Sequence, residues 1–433
     1  MKKVLIITYY WPPSAGVGVQ RWLKFSKYLS QFGWEPIIFT PENPDFNLKD
    51  PSLDKNISPE LEIVKFPIWE PFKLFNRFTG GKNKENIKQG LVLEKMEVTF
   101  KDKLSIWVRG NLFIPDPRRF WVKPSVKFLK DFVRDRGIEY VITTGPPHSM
   151  HLIGLGLKKK CNIKWVADFR DPWSQWDLLD KLQTGMIARQ LHKAMEKQVL
   201  KRADKIITVS KKLAEDLQKI GGRSVAVISN GVDTEDYAHI LPEFQKSDKF
   251  RISYFGLLNE MRNPMVFWET MEEMASEDAE FEQELELNLA GIVSESILHD
   301  LKNFPKVHSK LVMHGYLSHE QVFKECSRSS LLLVILNNTE NAKWIIPGKL
   351  FEYLSMGKPI LMLGPVDSDA ADLLNQLKTG YLSTFHDKET IKRVLMEAFS
   401  EYKRGGSIKV SYDMEMFSRR KLTQDLATLL DNL

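Results

Sequence analysis

The chain alternates short apolar runs with longer stretches that carry apolar residues at helical spacing. Runs of four to six apolar residues without polar alternation are typical of strands buried on both faces. Strands that alternate with helices indicate βαβ units and parallel sheets, so the pattern predicts a doubly wound α/β fold. The runs are Val4–Ile7, Pro36–Phe39, Tyr140–Ile142, Trp165–Ala167, Ile206–Val209, Val225–Ile228, Arg251–Phe255, Leu287–Ala290, Leu331–Leu336 and Pro359–Leu363.

The length of 433 residues exceeds what one ordinary core requires and predicts two domains. An acidic and polar stretch with few branched apolar residues interrupts the pattern after residue 235. We expect a first domain over residues 1–235 with an irregular insertion at about 43–111, a linker over 236–250, and a second domain over 251–415. A final helix within 416–433 would pack back on the first domain, and the two domains would face one cleft.

Composition and charge narrow the class of protein. The sequence is 43% apolar and 27% charged, which is typical of a globular protein, and its two cysteines exclude a disulfide framework and a multi-cysteine metal site. Residues 1–248 carry 41 Lys and Arg against 29 Asp and Glu, whereas residues 249–433 carry 21 against 27. A basic first half favours an anionic membrane surface, a phosphate-bearing substrate or nucleic acid as the binding partner. Solvated lysines scattered over the surface would give the same net positive charge.

The first apolar run leads into a glycine-containing turn and then a helix. Gly16 and Gly18 in this turn allow a ligand to approach the backbone, and the helix N-terminus favours an anion. Arg21 stands where the dinucleotide-binding fingerprint has its third glycine, and the second strand ends at Thr40 and Pro41 without the acidic residue that would bind a ribose. The turn therefore predicts an acceptor or phosphate loop, and a nicotinamide cofactor is disfavoured.

Polar clusters follow two strands in the middle of the chain. His148 follows one strand, and Asp168 and Arg170 end the next. Ligands of open α/β sheets bind at such strand ends, so we predict a catalytic role for Asp168 and an acceptor-side role for His148. The alternative is that Asp168 pairs with Arg170 to stabilise the turn. His148 and His151 have metal-ligand spacing, but no cysteine or third histidine is near, and no metal is expected.

Several strings resemble the retaining nucleotide-sugar glycosyltransferases of family 4. They are Ala203–Ser210 with Val225–Asp233 before the linker, Arg251–Asn263 at the start of the second domain, and Ile346–Ile360 near its end. The resemblance covers nearly the whole chain and implies the GT-B fold, two Rossmann-like domains with the active site in the cleft between them. The segments Gly145–Ser149 and Asp168–Trp173 look like a bacterial subgroup that acts in envelope polysaccharide assembly.

The resemblance also implies a donor site in the second domain. A carboxylate such as Glu352 accepts hydrogen bonds from ribose hydroxyls, and backbone amides at Gly348 and Lys349 suit a phosphate. Lys349 and Arg262 would neutralise the leaving diphosphate, and Gly256 opens the domain as in the family. Glu352 could instead be a solvated helix carboxylate.

The sequence departs from the family pattern in places. Trp344 stands where the family often has a first glutamate, which shifts the expected sugar contacts to Glu340 or Asn341. Leu257 replaces a common arginine, and Asp168 occupies the position of a histidine that contacts the donor sugar in many members. The Asp-x-Asp string from residue 367 to 369 resembles a cation site of the other glycosyltransferase fold, but the family implies no metal.

The sequence therefore predicts a glycosyltransferase that moves a sugar from a nucleotide-diphosphate donor to a hydroxyl acceptor. The acceptor would be a saccharide or lipid-linked intermediate of the cell envelope, and no cofactor or nucleic acid is expected. The predicted location is the cytoplasm, with contact to the inner face of the membrane through Phe75, Phe78 and Trp107. A sugar-nucleotide epimerase of the same fold, a non-catalytic nucleotide-sugar or glycan binding protein, and least of all an oxidoreductase remain as alternatives.

Overall fold

The computed structural model describes residues 1–46, 49–70, 100–238, 247–405 and 414–433. It divides into two compact units. The first comprises Met1–Ser229 together with Arg419–Leu433, and the second comprises Asn230–Ser418.

The first unit is built on a seven-stranded parallel sheet with the order β3-β2-β1-β4-β5-β6-β7. Its strands are β1 (Lys2–Ile7), β2 (Trp34–Pro41), β3 (Glu62–Phe66), β4 (Tyr140–Gly145), β5 (Lys164–Phe169), β6 (Lys205–Thr208) and β7 (Ala226–Val227). Its helices are α1 (Val17–Leu29), α2 (Phe100–Asn111), α3 (Arg119–Asp135), α4 (Ser149–Lys158), α5 (Leu178–Lys181), α6 (Met186–Arg202), α7 (Lys211–Gly221) and, at the end of the chain, α16 (Arg419–Asp431).

The second unit contains a six-stranded parallel sheet with the order β10-β9-β8-β11-β12-β13. Its strands are β8 (Phe250–Phe255), β9 (Leu285–Ala290), β10 (Leu311–Gly315), β11 (Leu331–Ile335), β12 (Ile360–Leu363) and β13 (Tyr381–Ser383). Its helices are α8 (Met265–Glu277), α9 (Ala279–Glu284), α10 (Glu295–Leu301), α11 (Pro305–Ser309), α12 (His319–Arg328), α13 (Gly348–Ser355), α14 (Asp369–Gln376) and α15 (Lys388–Lys403).

Both sheets place the first and fourth strands of their unit side by side. β1 pairs with β4 in the first unit, and β8 pairs with β11 in the second. The connections leave these two strands in opposite directions, which opens a crevice at their carboxyl ends where doubly wound folds bind ligands. Each unit therefore offers one such switch point.

The C-terminal helix α16 packs within the first unit. Leu422, Leu426 and Leu430 join a buried cluster with Trp22 of α1. The Lys2 ammonium forms an exposed ion pair with Asp431 at 2.8 Å. The apolar face of α16 thus completes the core on the side of the sheet that α1 covers.

The predicted doubly wound α/β class is confirmed, and each of the ten apolar runs overlaps a strand. Strands β3, β10 and β13 were not predicted. The region 43–111 contains β3 and α2 in its described part, so it contributes an edge strand to the sheet. Most of the predicted linker, residues 239–246, lies outside the described residues.

Candidate functional site

Polar groups converge at the switch point of the second unit. The Arg262 Nε donates to Oδ1 of Asn337, just beyond β11, at 2.7 Å. The Leu257 carbonyl, just beyond β8, accepts from the Arg262 guanidinium at 3.1 Å and from the Tyr254 hydroxyl at 2.7 Å. These bonds fix Arg262 across the carboxyl ends of the first and fourth strands of the unit.

The Lys349 ammonium lies beside this arginine. Its Nζ is 3.8 Å from the centroid of the Tyr254 ring, is shielded from solvent, and has no hydrogen-bond partner among the described residues. Burial lowers the pKa of Lys349, and the nearby Arg262 cation lowers it further, whereas Tyr254 and Glu352 partly offset this lowering. A buried ammonium next to a second cation suits an anionic ligand that would supply the missing partner.

Gly256 leaves room for the Lys349 side chain. Its φ of 140° lies in the region that glycine adopts most readily, and a β-carbon on it would come within 2.8 Å of Lys349 Nζ. Lys349 follows Gly348, the first residue of α13, and no side chain caps the N-terminus of this helix. The predicted donor residues Gly256, Arg262, Gly348 and Lys349 therefore lie together at one end of the sheet.

Glu352 lies one turn further along α13 and contacts a residue that the sequence did not indicate. Its Oε1 is 3.0 Å from Nε2 of His319, the first residue of α12, and both side chains are mostly buried. Glu352 is therefore more than a freely solvated helix carboxylate. His319 is 33 residues away along the chain, and no local motif marks it as a neighbour of Glu352.

The positions that depart from the family pattern have different environments. Trp344 is buried, Glu340 is exposed, and Asn341 is half-buried, all within one 3₁₀ turn. Asp367 is exposed whereas Asp369 is buried at the start of α14. The part of the chain that the structure describes holds no cluster of three or more metal-ligating side chains.

Asp168 lies at the end of β5 in the first unit, in a closed network of hydrogen bonds. Its Oδ1 accepts from the Arg21 guanidinium at 3.2 Å, and its Oδ2 accepts from Trp22 Nε1 and Thr144 Oγ1, each at 2.9 Å. The side chains of Asp168 and Arg21 have no exposed surface. The partner of Asp168 is thus Arg21 rather than Arg170, and contact with a substrate would require this network to open.

The glycine turn after β1 also has a packing role. Arg21, predicted there as a phosphate-loop residue, donates to the carbonyl of Ser229 at 2.8 Å as well as to Asp168. Gly16 is exposed with a φ of 113°, and a β-carbon on Gly18 would overlap the Arg170 guanidinium. The close approach of Arg170 explains why glycine occupies position 18, and Arg21 forms the buried ion pair with Asp168.

His148 and His151 are buried near one another after β4. The His148 ring stacks on Trp173 at 4.8 Å between centroids, and the His151 ring stacks on Phe169 at 4.3 Å. Burial lowers the pKa of His148 well below its ordinary value and lowers that of His151 to about 3. Both imidazoles are therefore neutral near pH 7.

One family model matches part of the chain. The model of Glycosyltransferase Family 4 matches residues 94–236, most of which lie in the first unit. No curated protein is significantly similar to the chain in sequence.

Solved structures share the fold over the whole chain. The sucrose-phosphate synthase of Thermosynechococcus elongatus has a TM-score of 0.66 at 12% identity, with 100% of this chain and 99% of that chain covered. A glycosyltransferase from Rickettsia africae ESF-5 has a TM-score of 0.61 at 15% identity, with 100% of this chain and 98% of that chain covered. Anabaena HepE in complex with UDP-glucose has a TM-score of 0.61 at 11% identity, with 100% of both chains covered. The predicted GT-B fold and the resemblance to family 4 are confirmed.

Proposed function

We propose that this protein is a glycosyltransferase that moves a sugar from a nucleoside-diphosphate donor to a hydroxyl acceptor. The observation that carries the proposal is the buried Lys349 ammonium, which lies beside Arg262 at the switch point of the second unit and has no hydrogen-bond partner among the described residues. The match to family 4 and the UDP-glucose complex of HepE support a nucleotide-sugar donor.

The proposed chemistry depends on stabilising the leaving diphosphate. When the bond between the anomeric carbon and the diphosphate breaks, negative charge grows on the diphosphate oxygens. Lys349, Arg262 and the uncapped N-terminus of α13 present positive charge and N–H groups that stabilise this charge. Glu352, held by His319, would accept hydrogen bonds from the ribose hydroxyls. By family resemblance we propose a metal-independent reaction that retains the configuration of the anomeric carbon.

Asp168 has a different role in this proposal. Because its carboxylate is enclosed by Arg21, Trp22 and Thr144, we propose that it is a positioning residue. It joins the start of α1 to the carboxyl ends of β4 and β5, and so holds the acceptor-side loops that include Gly16 and His148.

A panel assay tests the function. The protein is incubated with UDP-, GDP- and ADP-glucose, with and without saccharide acceptors, and nucleoside diphosphate release and sugar products are measured by NMR. We expect acceptor-dependent transfer from one donor with retained anomeric configuration. Glu352→Ala should lower kcat/KM by about 10- to 100-fold because hydrogen bonds to a charged group are lost. The exposed Glu269→Ala on α8 is the matched control.

Two results would contradict this function. An epimerised nucleotide sugar formed without acceptor would favour the epimerase alternative. Nucleotide-sugar binding without any product would favour the non-catalytic alternative. A product of inverted configuration would overturn only the retaining mechanism.

We also propose an acceptor from cell-envelope polysaccharide synthesis, reached at the cytoplasmic membrane surface. None of the described helices is long and apolar enough to cross a membrane. Large apolar side chains are nevertheless exposed on α2, directly after it, and at the start of α6, and a hydrogen bond from the Gly185 amide to Asn111 at 2.7 Å joins the two helices. They are Leu104, Trp107, Leu112, Met186 and Ile187. Phe75 and Phe78 lie outside the described residues.

This surface predicts the effect of one substitution on membrane binding. Met186 and Ile187 are 80% and 81% exposed, so Ile187→Glu should reduce co-sedimentation with anionic liposomes at low salt without lowering stability. Met396→Glu, at a 57% exposed position in the second unit, is the control. Equal co-sedimentation of both variants and wild type would contradict the assignment of this surface.

A further inference from the structure

A hydrogen bond between His319 and Glu352 links two helices beside the candidate donor site. Nε2 of His319 lies 3.0 Å from Oε1 of Glu352. An ionised carboxylate only accepts hydrogen bonds, so Nε2 carries the proton of this bond. The two side chains are 17% and 14% exposed, and a hydrogen bond to a charged group is strong where bulk water is largely excluded. The contact therefore fixes the orientation of the Glu352 carboxylate.

The imidazole of His319 is itself held in place. Ser318 caps the start of α12 through a reciprocal pair of hydrogen bonds, 2.9 and 3.4 Å long. The His319 ring meets the Phe323 ring edge to face, with 4.9 Å between the centroids. Phe323 is fully buried in the same apolar cluster as Phe351, which precedes Glu352 on α13. The core that α12 and α13 share thus sets the separation of His319 from Glu352.

Glu352 lies where it can meet the ribose of a nucleotide bound at Lys349. The two residues are three positions apart on α13, so they share one face of the helix with about 5–6 Å between their β-carbons. In a nucleoside diphosphate the ribose carries the diphosphate on its 5′ oxygen, so phosphates bonded to Lys349 bring the ribose close to Glu352. The 2′ and 3′ hydroxyls are neighbouring donors, and a carboxylate accepts through two oxygens.

The same helix face shows what the contact with His319 prevents. Oppositely charged side chains at this spacing ordinarily pair on a helix. The Lys349 ammonium nevertheless has no hydrogen-bond partner among the described residues, although Glu352 is its neighbour on that face. The bond to His319 holds the carboxylate away from the ammonium, so the ammonium can bond to phosphate and the carboxylate to ribose. Because this orientation is set before a ligand arrives, less conformational freedom is lost on binding.

We propose that His319 is a positioning residue that gives the donor site its preference for ribose, by directing the Glu352 carboxylate toward the ribose hydroxyls and away from Lys349. The inference rests on the proposed function, because it requires a nucleoside diphosphate to bind at Lys349. It adds a residue of α12 that acts on the ligand only through Glu352.

Calorimetric titration measures binding of UDP, GDP and ADP and of their 2′,3′-dideoxy analogues to the full chain. For the diphosphate that binds most tightly, we expect wild type to bind the dideoxy analogue about 10- to 100-fold more weakly, because hydrogen bonds to a charged group are lost. We call this ratio the ribose preference. His319→Ala should reduce it to about threefold or less. His319→Gln, which keeps an N–H donor, should retain most of it.

A double-mutant cycle separates positioning from a structural role. Glu352→Ala should lack the ribose preference, and the double variant His319→Ala, Glu352→Ala should have the same ratio, because His319 acts only through Glu352. His386→Ala, at an exposed histidine of the same unit, is the matched control and should bind both ligands like wild type. Far-UV circular dichroism verifies that each variant is folded.

A ribose preference that His319→Ala leaves unchanged would overturn the inference. If that variant bound the ribonucleotide and its analogue more weakly by the same factor, His319 would only support the fold. Wild type that binds a diphosphate without a ribose preference would also overturn the inference, yet it would leave the proposed sugar transfer standing. Wild type that binds none of the three diphosphates would overturn both.

Discussion

Asp168→Ala is expected to lower the free energy of unfolding by about 3–5 kcal/mol. The substitution leaves the Arg21 guanidinium buried and removes the Asp168 carboxylate that lies 3.2 Å from it, while the Ser229 carbonyl still accepts a hydrogen bond. It also removes the acceptor of the Trp22 and Thr144 hydrogen bonds. Urea unfolding monitored by tryptophan fluorescence measures the loss.

The control for Asp168→Ala removes both charges. The double variant Arg21→Met, Asp168→Leu should recover much of the stability, because two apolar side chains avoid a buried charge that has lost its carboxylate. An Asp168→Ala protein with wild-type stability but no transferase activity would contradict the positioning role. That result would return Asp168 to direct contact with substrate.

Lys349→Met is expected to weaken binding of the cognate nucleoside diphosphate by about 10- to 100-fold, since charge-assisted hydrogen bonds to the diphosphate are lost. The same substitution should leave the stability of the free protein unchanged or raise it. Over the part of the chain that the structure describes, the ammonium is buried without a hydrogen-bond partner, whereas a methionine packs on the Tyr254 ring without a desolvation cost. Calorimetric titration and thermal unfolding measure the two effects.

Lys343→Met is the matched control for this prediction. Its ammonium lies 5.6 Å from the Trp344 ring, outside the group formed by Tyr254, Arg262 and Lys349. It should bind the nucleotide like wild type. A Lys349→Met protein that is strongly destabilised yet keeps full nucleotide affinity would assign Lys349 a structural role instead.

The interior strands of both sheets could be predicted because they are covered by helices on both faces. Strand β11 is buried along its whole length and appears in the sequence as an uninterrupted apolar run. The three missed strands, β3, β10 and β13, all lie at sheet edges. Strand β10 contains only half-buried and exposed residues, so it lacks the uninterrupted buried apolar run that marks the interior strands.

The candidate sites also divide into residues that a local motif groups together and residues that only tertiary packing brings together. Motif spacing in the second unit indicated that Arg262, Lys349 and Glu352 act together, and the structure places Arg262 and Lys349 beside one Tyr254 ring. The buried pairing of Asp168 with Arg21 spans 147 residues and depends on how α1 crosses the sheet. Pairings that depend on tertiary packing leave no local pattern in the sequence.

Thermal unfolding with UDP, GDP, ADP and NAD tests the donor site most directly. One nucleoside diphosphate at 100 times its dissociation constant should raise the free energy of unfolding by about 2.7 kcal/mol, and NAD should have no effect. The Glu352→Ala protein should show a smaller increase at the same concentration. No stabilisation by any of the three diphosphates would contradict a nucleotide-sugar site at Lys349 and Arg262.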